Sequence, residues 1–174
     1  MRLEKFDTAR LFIHSWRPVI EDRKARLSLE ANLSSILTRP VLEHLPPPLQ
    51  LGDQSGGVSS WIDARAEESE VLLVESKFSD DLVGLMILAP DPDADKTPIM
   101  HIGYLLSEAV WGQGFGSELL DGLVSAVKED RPLRLVAGVS RGNLASARVL
   151  QKAGFVVDPG VSTADTDIYV YFDN

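Results

Sequence analysis

Residues 111–120, WGQGFGSELL, place three glycines within five positions and lead straight into an apolar pattern of helical period. Glycine at that density is costly in chain entropy, so the segment must need bare backbone. A strand-like run, IMHIGYLL at 99–106, precedes it. Leu119, Leu120, Leu123, Val124 and Val127 mark one face of a helix of about four turns after it. A strand that enters a helix through such a turn aims several main-chain N–H groups outward, and the helix dipole adds to them, which makes an anion site.

The rest of the chain can be divided by the same periodicities. RLFIHSW (10–16) is dense in β-branched and aromatic residues and reads as a first strand, and Pro18 suits the opening turn of a helix. Leu29, Leu33, Ile36 and Leu37 continue that helical pattern to about Leu37. The tract LEHLPPPLQLGDQSGG (42–57) leaves little room for regular structure and reads as a long functional loop. Ser59 or Ser60 is placed to cap a second helix over WIDARAEES. EVLLVESKF (70–78) and LVGLMIL (82–88) form a hairpin pattern, and the charged loop APDPDADKTP (89–98) follows. RLVAGVS (134–140) reads as a buried strand, SARVLQKAG (146–154) as a short helix closed by Gly154, and FVV (155–157) and DIYVYF (167–172) as late strands. Hairpins first and strand–helix–strand units later predict an α+β or mixed α/β fold around one sheet, in one domain over residues 1–174.

Composition narrows the chemistry. Cysteine is absent, which removes disulfides, thiolate metal sites and a cysteine nucleophile. His14, His44 and His101 are far apart in sequence, so no metal site is expected. The net charge of −9, without a Lys/Arg cluster, argues against nucleic acid as a partner; it suits simple solubility or the steering of cationic partners such as amines. No apolar run approaches the roughly 18 residues of a membrane span, and MRLEKFDTARLF lacks a signal-peptide pattern, so a cytoplasmic protein without a membrane partner is expected.

Three anion-binding motifs fit the glycine turn in outline. A P-loop needs GxxxxGK[ST], and no lysine follows these glycines before Lys128. A dinucleotide fingerprint needs GxGxxG, whereas Ser117 stands where the third glycine would fall. The third candidate is the pyrophosphate loop of an acyl-coenzyme A site, and here the chain resembles the GNAT superfamily of N-acetyltransferases. Its loop, (R/Q)-x-x-G-x-(G/A), is matched by Trp111-Gly112-Gln113-Gly114-Phe115-Gly116, with tryptophan in the first position. A Trp-Gly-x-Gly opening is similar to the RimJ/RimL-like branch, which acetylates ribosomal-protein N-termini, and to its small-molecule relatives. A second block, NLASARVLQKAGF (143–155), resembles the family's N-x-x-S-x-x-(V/L) helix that closes on G-F, with one amphipathic helix and one strand between the two blocks. The resemblance spans essentially the whole chain, densely from 99 to 157 and sparsely before residue 70.

The resemblance implies a mostly antiparallel sheet, splayed where the strand of Ile102 to Leu106 leaves that of Leu135 to Ser140. It implies acetyl-CoA as cosubstrate, and a primary amine as acceptor: a protein N-terminus or a small cationic amine. The pantetheine arm would lie against the main chain of Leu105 and Leu106. The pyrophosphate would sit on N–H groups of Gly112, Gln113, Gly114, Phe115, Gly116 and Ser117, with Asn143 and Ser146 on the other side. Read without the family, Asn143 equally suits a helix cap, Ser146 a plain first-turn position and Lys152 a solvated surface. Arg141, Arg148 and Lys152 bring local positive charge to an otherwise acidic chain.

The implied reaction is direct attack of an amine on the thioester in a ternary complex. A protonated amine has no lone pair, so a base or a water must take its proton. An N–H near Leu106 is the family's candidate donor to the oxyanion. Many members carry a tyrosine on the last helix to protonate the departing thiolate; the matching position here is Leu150, and Ser146 could stand in. His101 and Glu108 are candidate bases, and Asp165, Asp167, Tyr169 and Tyr171 belong to the strands that help form the family's acceptor cleft. The alternative is a catalytically silent acyl-CoA-binding module, and a nucleotide-dependent oxidoreductase is opposed by the glycine spacing. A homodimer paired through late strands is a further expectation from the family.

Overall fold

The computed structural model describes residues 3–51, 57–94, 97–127 and 133–172; residues 52–56 of the proline- and glycine-rich tract and 95–96 of the charged loop lie outside them. The first half contains β1 (Lys5–Asp7), β2 (Leu11–Ser15), α1 (Arg17–Glu21), α2 (Arg23–Ile36), α3 (Arg39–Leu42), α4 (Gly57–Glu68) and β3 (Glu70–Ser76). The second contains β4 (Leu82–Pro90), β5 (Ile99–Leu106), α5 (Phe115–Val127), β6 (Arg134–Ser140), α6 (Leu144–Lys152), β7 (Val156–Val157) and β8 (Thr166–Phe172). Short 3-10 turns lie at Pro47–Leu49 and Glu108–Val110.

All eight strands join one sheet in the order β1-β2-β3-β4-β5-β6-β8-β7. Each neighbouring pair is antiparallel except β5 and β6, which are parallel and connected through α5. This is the mixed α/β, mostly antiparallel fold expected from the sequence. β3 and β4 read as unbroken apolar runs because both faces of the sheet are covered. Leu72, Val74, Met86, Leu88, Met100 and Ile102 pack on one face against Leu119, Leu120 and Leu123 of α5 and Leu150 of α6. Val71, Leu73, Leu85, Ile87 and Leu105 pack on the other against Leu29 and Leu33 of α2 and Trp61 and Ile62 of α4. The period of two along each strand thus serves two cores.

The sheet parts between β5 and β6. Ile99, Met100 and His101 pair with Arg134, Leu135 and Val136, and the pairing ends there. β5 nevertheless runs on to Leu106 along β4, and β6 runs on to Ser140 along β8. Ser107 N–H donates to the Val83 carbonyl at 2.8 Å and Asp91 N–H to the Ile99 carbonyl at 2.9 Å. Antiparallel alternation therefore turns the main-chain groups of odd-numbered β5 residues toward β4, and those of Tyr104 and Leu106 toward the gap.

Several local expectations are corrected. α4 begins at Gly57, so Ser59 and Ser60 lie inside its first turn instead of capping it; the Arg26 guanidinium engages the Ser59 carbonyl and hydroxyl at 3.3 and 3.1 Å. The tract from 42 holds the end of α3 and a 3-10 turn, because its first prolines sit where helical turns accept them. α6 starts two residues earlier than read, since Asn143 caps it through a bond from Ser146 N–H at 3.1 Å. β1, three residues long, is too short to show a period.

The β1–β2 turn is bolted to the start of α5. Glu118 accepts from the Thr8 hydroxyl at 2.5 Å, Arg10 N–H at 2.7 Å and Arg10 Nε at 2.6 Å. Burial pushes the Glu118 carboxyl up, but the bonds from Thr8 and Arg10 and the guanidinium charge outweigh it and hold the pKa below its ordinary value.

Two outcomes follow from this frame. An ideal Cβ on Gly84 would lie 2.3 Å from the Leu105 carbonyl oxygen, so Gly84→Ala must push β4 from β5; a loss of about 1–3 kcal/mol is expected in denaturant unfolding. Because the folded pKa of Glu118 is depressed, its contribution to stability is complete above the unfolded value, about 4.3, and is lost as pH falls through the folded one. Glu118→Gln should therefore lower the thermal midpoint at neutral pH and flatten its decline in acid. Parallel midpoint–pH curves for the two proteins would show that this carboxylate is not the anion of the clamp.

Candidate functional site

The glycine loop connects the Glu108–Val110 turn to α5. Gly112 and Gly114 stand at φ +72° and +81°, the left-handed region, where a side chain is strained by roughly 1–2 kcal/mol. The first helical bond of α5 runs from Glu118 N–H to the Gly114 carbonyl at 3.1 Å, so the N–H groups of Phe115, Gly116 and Ser117 precede the helical ladder. Arg10 holds the loop from behind. Its Nη1 donates to the Gln113 carbonyl at 3.0 Å, and its guanidinium lies over the Phe115 ring at 4.1 Å. With that carbonyl fixed on Arg10, the loop is held where its glycines border open space.

That space is a cavity of about 950 Å³. Gly112, Gly114, Phe115, Gly116 and Ser117 form one end, and Tyr104, Leu105 and Leu106 of β5 form the floor. α6 contributes Ser146, Arg148, Val149 and Lys152, preceded by its cap Asn143. Pro40, Val41, Glu43, His44 and Leu45 line it from α3 and the segment after it. The Thr38 hydroxyl bonds to Glu108 and ties this wall to the turn before the glycine loop. Cations therefore stand on the α6 side of the cavity, and Glu43 with His44 on the α3 side.

Two hydroxyls meet inside. Tyr104 Oη and Ser146 Oγ are 2.8 Å apart, one from the separated part of β5 and the other from the first turn of α6. Burial pushes the Tyr104 phenol up to about 12, with the Ser146 hydrogen bond pulling slightly the other way, so the phenol keeps its proton at neutral pH. Leu150, at the position where the family pattern has tyrosine, is wholly buried in the core.

The structure thus brings together Leu105, Leu106, Gly112, Gly114, Phe115, Gly116, Ser117, Asn143 and Ser146. Gln113 points elsewhere, its amide donating to the Ala109 carbonyl at 2.8 Å. Leu105 reaches the cavity, but its main-chain groups pair across β4; Leu106 carries the gap-facing ones, and the Trp111 indole donates to its carbonyl at 2.8 Å. His101 lies at the far end of β5, five residues or roughly 16 Å from Leu106, with its ring 3.3 Å from Asp91. Glu108 is engaged by Thr38 outside the cavity lining.

The late-strand candidates lie apart from the main cavity. Asp167 pairs with Arg141 at 3.0 Å, and Tyr169 joins it on a separate cavity of about 240 Å³. The Asp165 carbonyl accepts from Arg141 N–H, and Tyr171 packs on Phe155 with ring centroids 5.4 Å apart. Tyr104 and Arg10 are not among the residues expected from the sequence, whereas Glu43, His44 and Leu45 belong to the start of the tract read there as a functional loop. The even-numbered alternation Ile102, Tyr104, Leu106 is the signal that could have put Tyr104 on the α6 face. Among the described residues no cluster of three His, Cys, Asp or Glu could hold a metal ion, and no helix is long and apolar enough to cross a membrane.

The uncharacterized protein YkkB of Bacillus subtilis (strain 168) is 26% identical over 123 residues, which are 70% of this chain and 64% of that protein. The match thus spans just under two thirds of the length of that curated relative. Among solved structures, an acetyltransferase of the GNAT family from Bacillus anthracis superposes with a TM-score of 0.73 at 15% identity, covering 97% of this chain and 98% of that one. RimL, a ribosomal L7/L12 α-N-protein acetyltransferase solved in complex with coenzyme A, superposes with a TM-score of 0.70 at 18% identity, covering 98% and 99%. Identities this low carry the fold alone. Residues 17–156 match the Acetyltransferase (GNAT) domain, and with most of its length inside that match the chain belongs to the GNAT acetyltransferase family.

Proposed function

We propose that this acetyltransferase works as one domain over residues 1–174, takes its acetyl group from acetyl-CoA and delivers it to a primary amine, in the manner of the RimJ/RimL-like branch. The observation that carries the reading is the meeting, on one cavity, of a glycine loop at a helix N-terminus with a strand edge that has lost its neighbour. The residues fit the carrier's chemistry. Left-handed glycines leave the loop amides open to a diphosphate, and Arg148 and Lys152 add positive charge nearby. The gap-facing main chain of Tyr104 and Leu106 suits an amide-bearing arm laid alongside it. RimL, whose fold is similar, was solved with coenzyme A.

Bound there, acetyl-CoA would supply a thioester carbonyl for direct attack. Leu106 N–H, on the gap side of β5, is the donor for the carbonyl oxygen as it gains charge. Ser146 offers its hydroxyl proton to the departing sulfur, and Asn143 fixes the first turn of α6 beneath it. Glu43 attracts a cationic amine from the α3 wall, and His44 beside it, unlike His101, lines the cavity and serves as the base. A protein N-terminus and a small amine both meet these demands, and the RimL likeness adds weight to the first.

Calorimetry against acetyl-CoA, followed by thiol release on a panel of N-terminal peptides and small amines, tests the reading. Binding with amine-dependent release is the expected result. Binding without release from any amine would favour a silent acyl-CoA-binding module, and no binding would remove acetyl-CoA from the account. Gly114→Ala should weaken acetyl-CoA binding about tenfold, the equivalent of about 1.4 kcal/mol of strain at the loop.

A further inference from the structure

The Tyr104–Ser146 contact joins two hydroxyls of unlike acidity on the wall of the cavity. Resting on the acetyl-transfer reading above, we infer that Tyr104 is a positioning residue of the reaction: its O–H donates to Ser146 Oγ and leaves the serine proton turned toward the thioester sulfur.

Both partners are held from behind. Tyr104 stands on β5 beyond His101, where the strand is braced by β4 alone, and Tyr104 lies opposite Met86. Ser146 sits in the first turn of α6, its N–H fixed on Asn143 Oδ1 at 3.1 Å. The 2.8 Å contact therefore follows from the placement of two elements and does not depend on a mobile side chain finding its partner.

The direction of the bond follows from the inventory of the groups. A serine hydroxyl has one donor and two acceptor sites, and a phenol is the stronger acid of the two. Tyr104 is largely buried, and its phenol is pushed up to about 12, so it remains a neutral donor across the physiological range. Were Ser146 to donate to Tyr104 instead, its single proton would be committed to the strand and unavailable to a ligand. One turn further along α6 the side chain is Leu150, buried and aliphatic, so that position offers no proton.

Once His44 has taken the extra proton of the ammonium group, the transfer forms an N–C bond, breaks the C–S bond and moves one proton from nitrogen to sulfur. Ser146 gives its proton to the sulfur as the C–S bond breaks and recovers one from the nitrogen, so no hydroxyl is consumed. Tyr104 keeps its proton throughout and acts only through Ser146. This dependence is what separates it from a catalytic acid in its own right.

A double-mutant cycle on the full chain tests this, with acetyl-CoA affinity by calorimetry and kcat from amine-dependent thiol release. Tyr104→Phe keeps the ring packing and should lower kcat about tenfold. Ser146→Ala should lower it about a hundredfold. Tyr104→Phe should bind acetyl-CoA within about twofold of wild type, because it removes only a hydroxyl whose partner is Ser146. The double variant should be no slower than Ser146→Ala, because without the serine there is nothing left to orient. An unchanged kcat in Tyr104→Phe, or losses that multiply in the double variant, would overturn the inference and leave the acetyl-transfer reading standing. Lost acetyl-CoA binding in Tyr104→Phe would also overturn it, by assigning Tyr104 to building the site. A wild-type protein that acetylates no amine would overturn both.

Discussion

A sheet cannot open without finding partners for the main-chain groups it exposes, since a buried N–H or C=O left alone costs roughly 1–3 kcal/mol. Here β5 and β6 stay together for three residues and then separate, each retained by its other neighbour. The separation turns the last residues of β5 into a free edge inside the protein, and the rest of the site is built around it. Trp111 takes up the Leu106 carbonyl with its indole N–H, which joins the free edge to the opening residue of the glycine loop. α5 and α6 cover the same face of the sheet, so loop, edge and the first turn of α6 converge on one cavity.

The electrostatics of the loop contain an apparent contradiction. A carboxylate in the first turn of a helix favours the helix but would repel an anion docking at the same terminus. Glu118 occupies that turn, in a chain whose net charge is −9. The conflict is resolved by Arg10, which neutralises Glu118, holds the Gln113 carbonyl and stacks on Phe115. One guanidinium thus serves the loop's conformation and its charge together, from a turn about a hundred residues away in sequence.

The parts of this arrangement that were legible from sequence are those with local physical signatures. The glycine tract, the period of α5 and the apolar runs of β3 to β6 each announce themselves within about ten residues. The cap at Asn143 could be named, and so could Ser146, because both belong to a short motif on one helix. What was not legible depends on contacts across the fold. His101 was a reasonable base by chemistry, but its position at the start of β5 puts it at the wrong end of the strand. Tyr104 lies three residues further on and meets Ser146 only because α6 returns over the splayed edge. Arg10 comes from a segment where the family pattern is sparse, and nothing near it in sequence signals the loop it touches.

The two sides of the cavity descend from stretches of chain separated by dozens of residues. The glycine-loop side is drawn from residues 104 to 152, in strands and helices locked into the core, whereas the α3 wall is a short segment from 40 to 45 attached near Thr38. Insertions or exchanges in that segment can reshape what enters the cavity while leaving the glycine loop untouched. A scaffold divided in this way can diversify its clientele through one replaceable jaw and keep a single chemistry in the other.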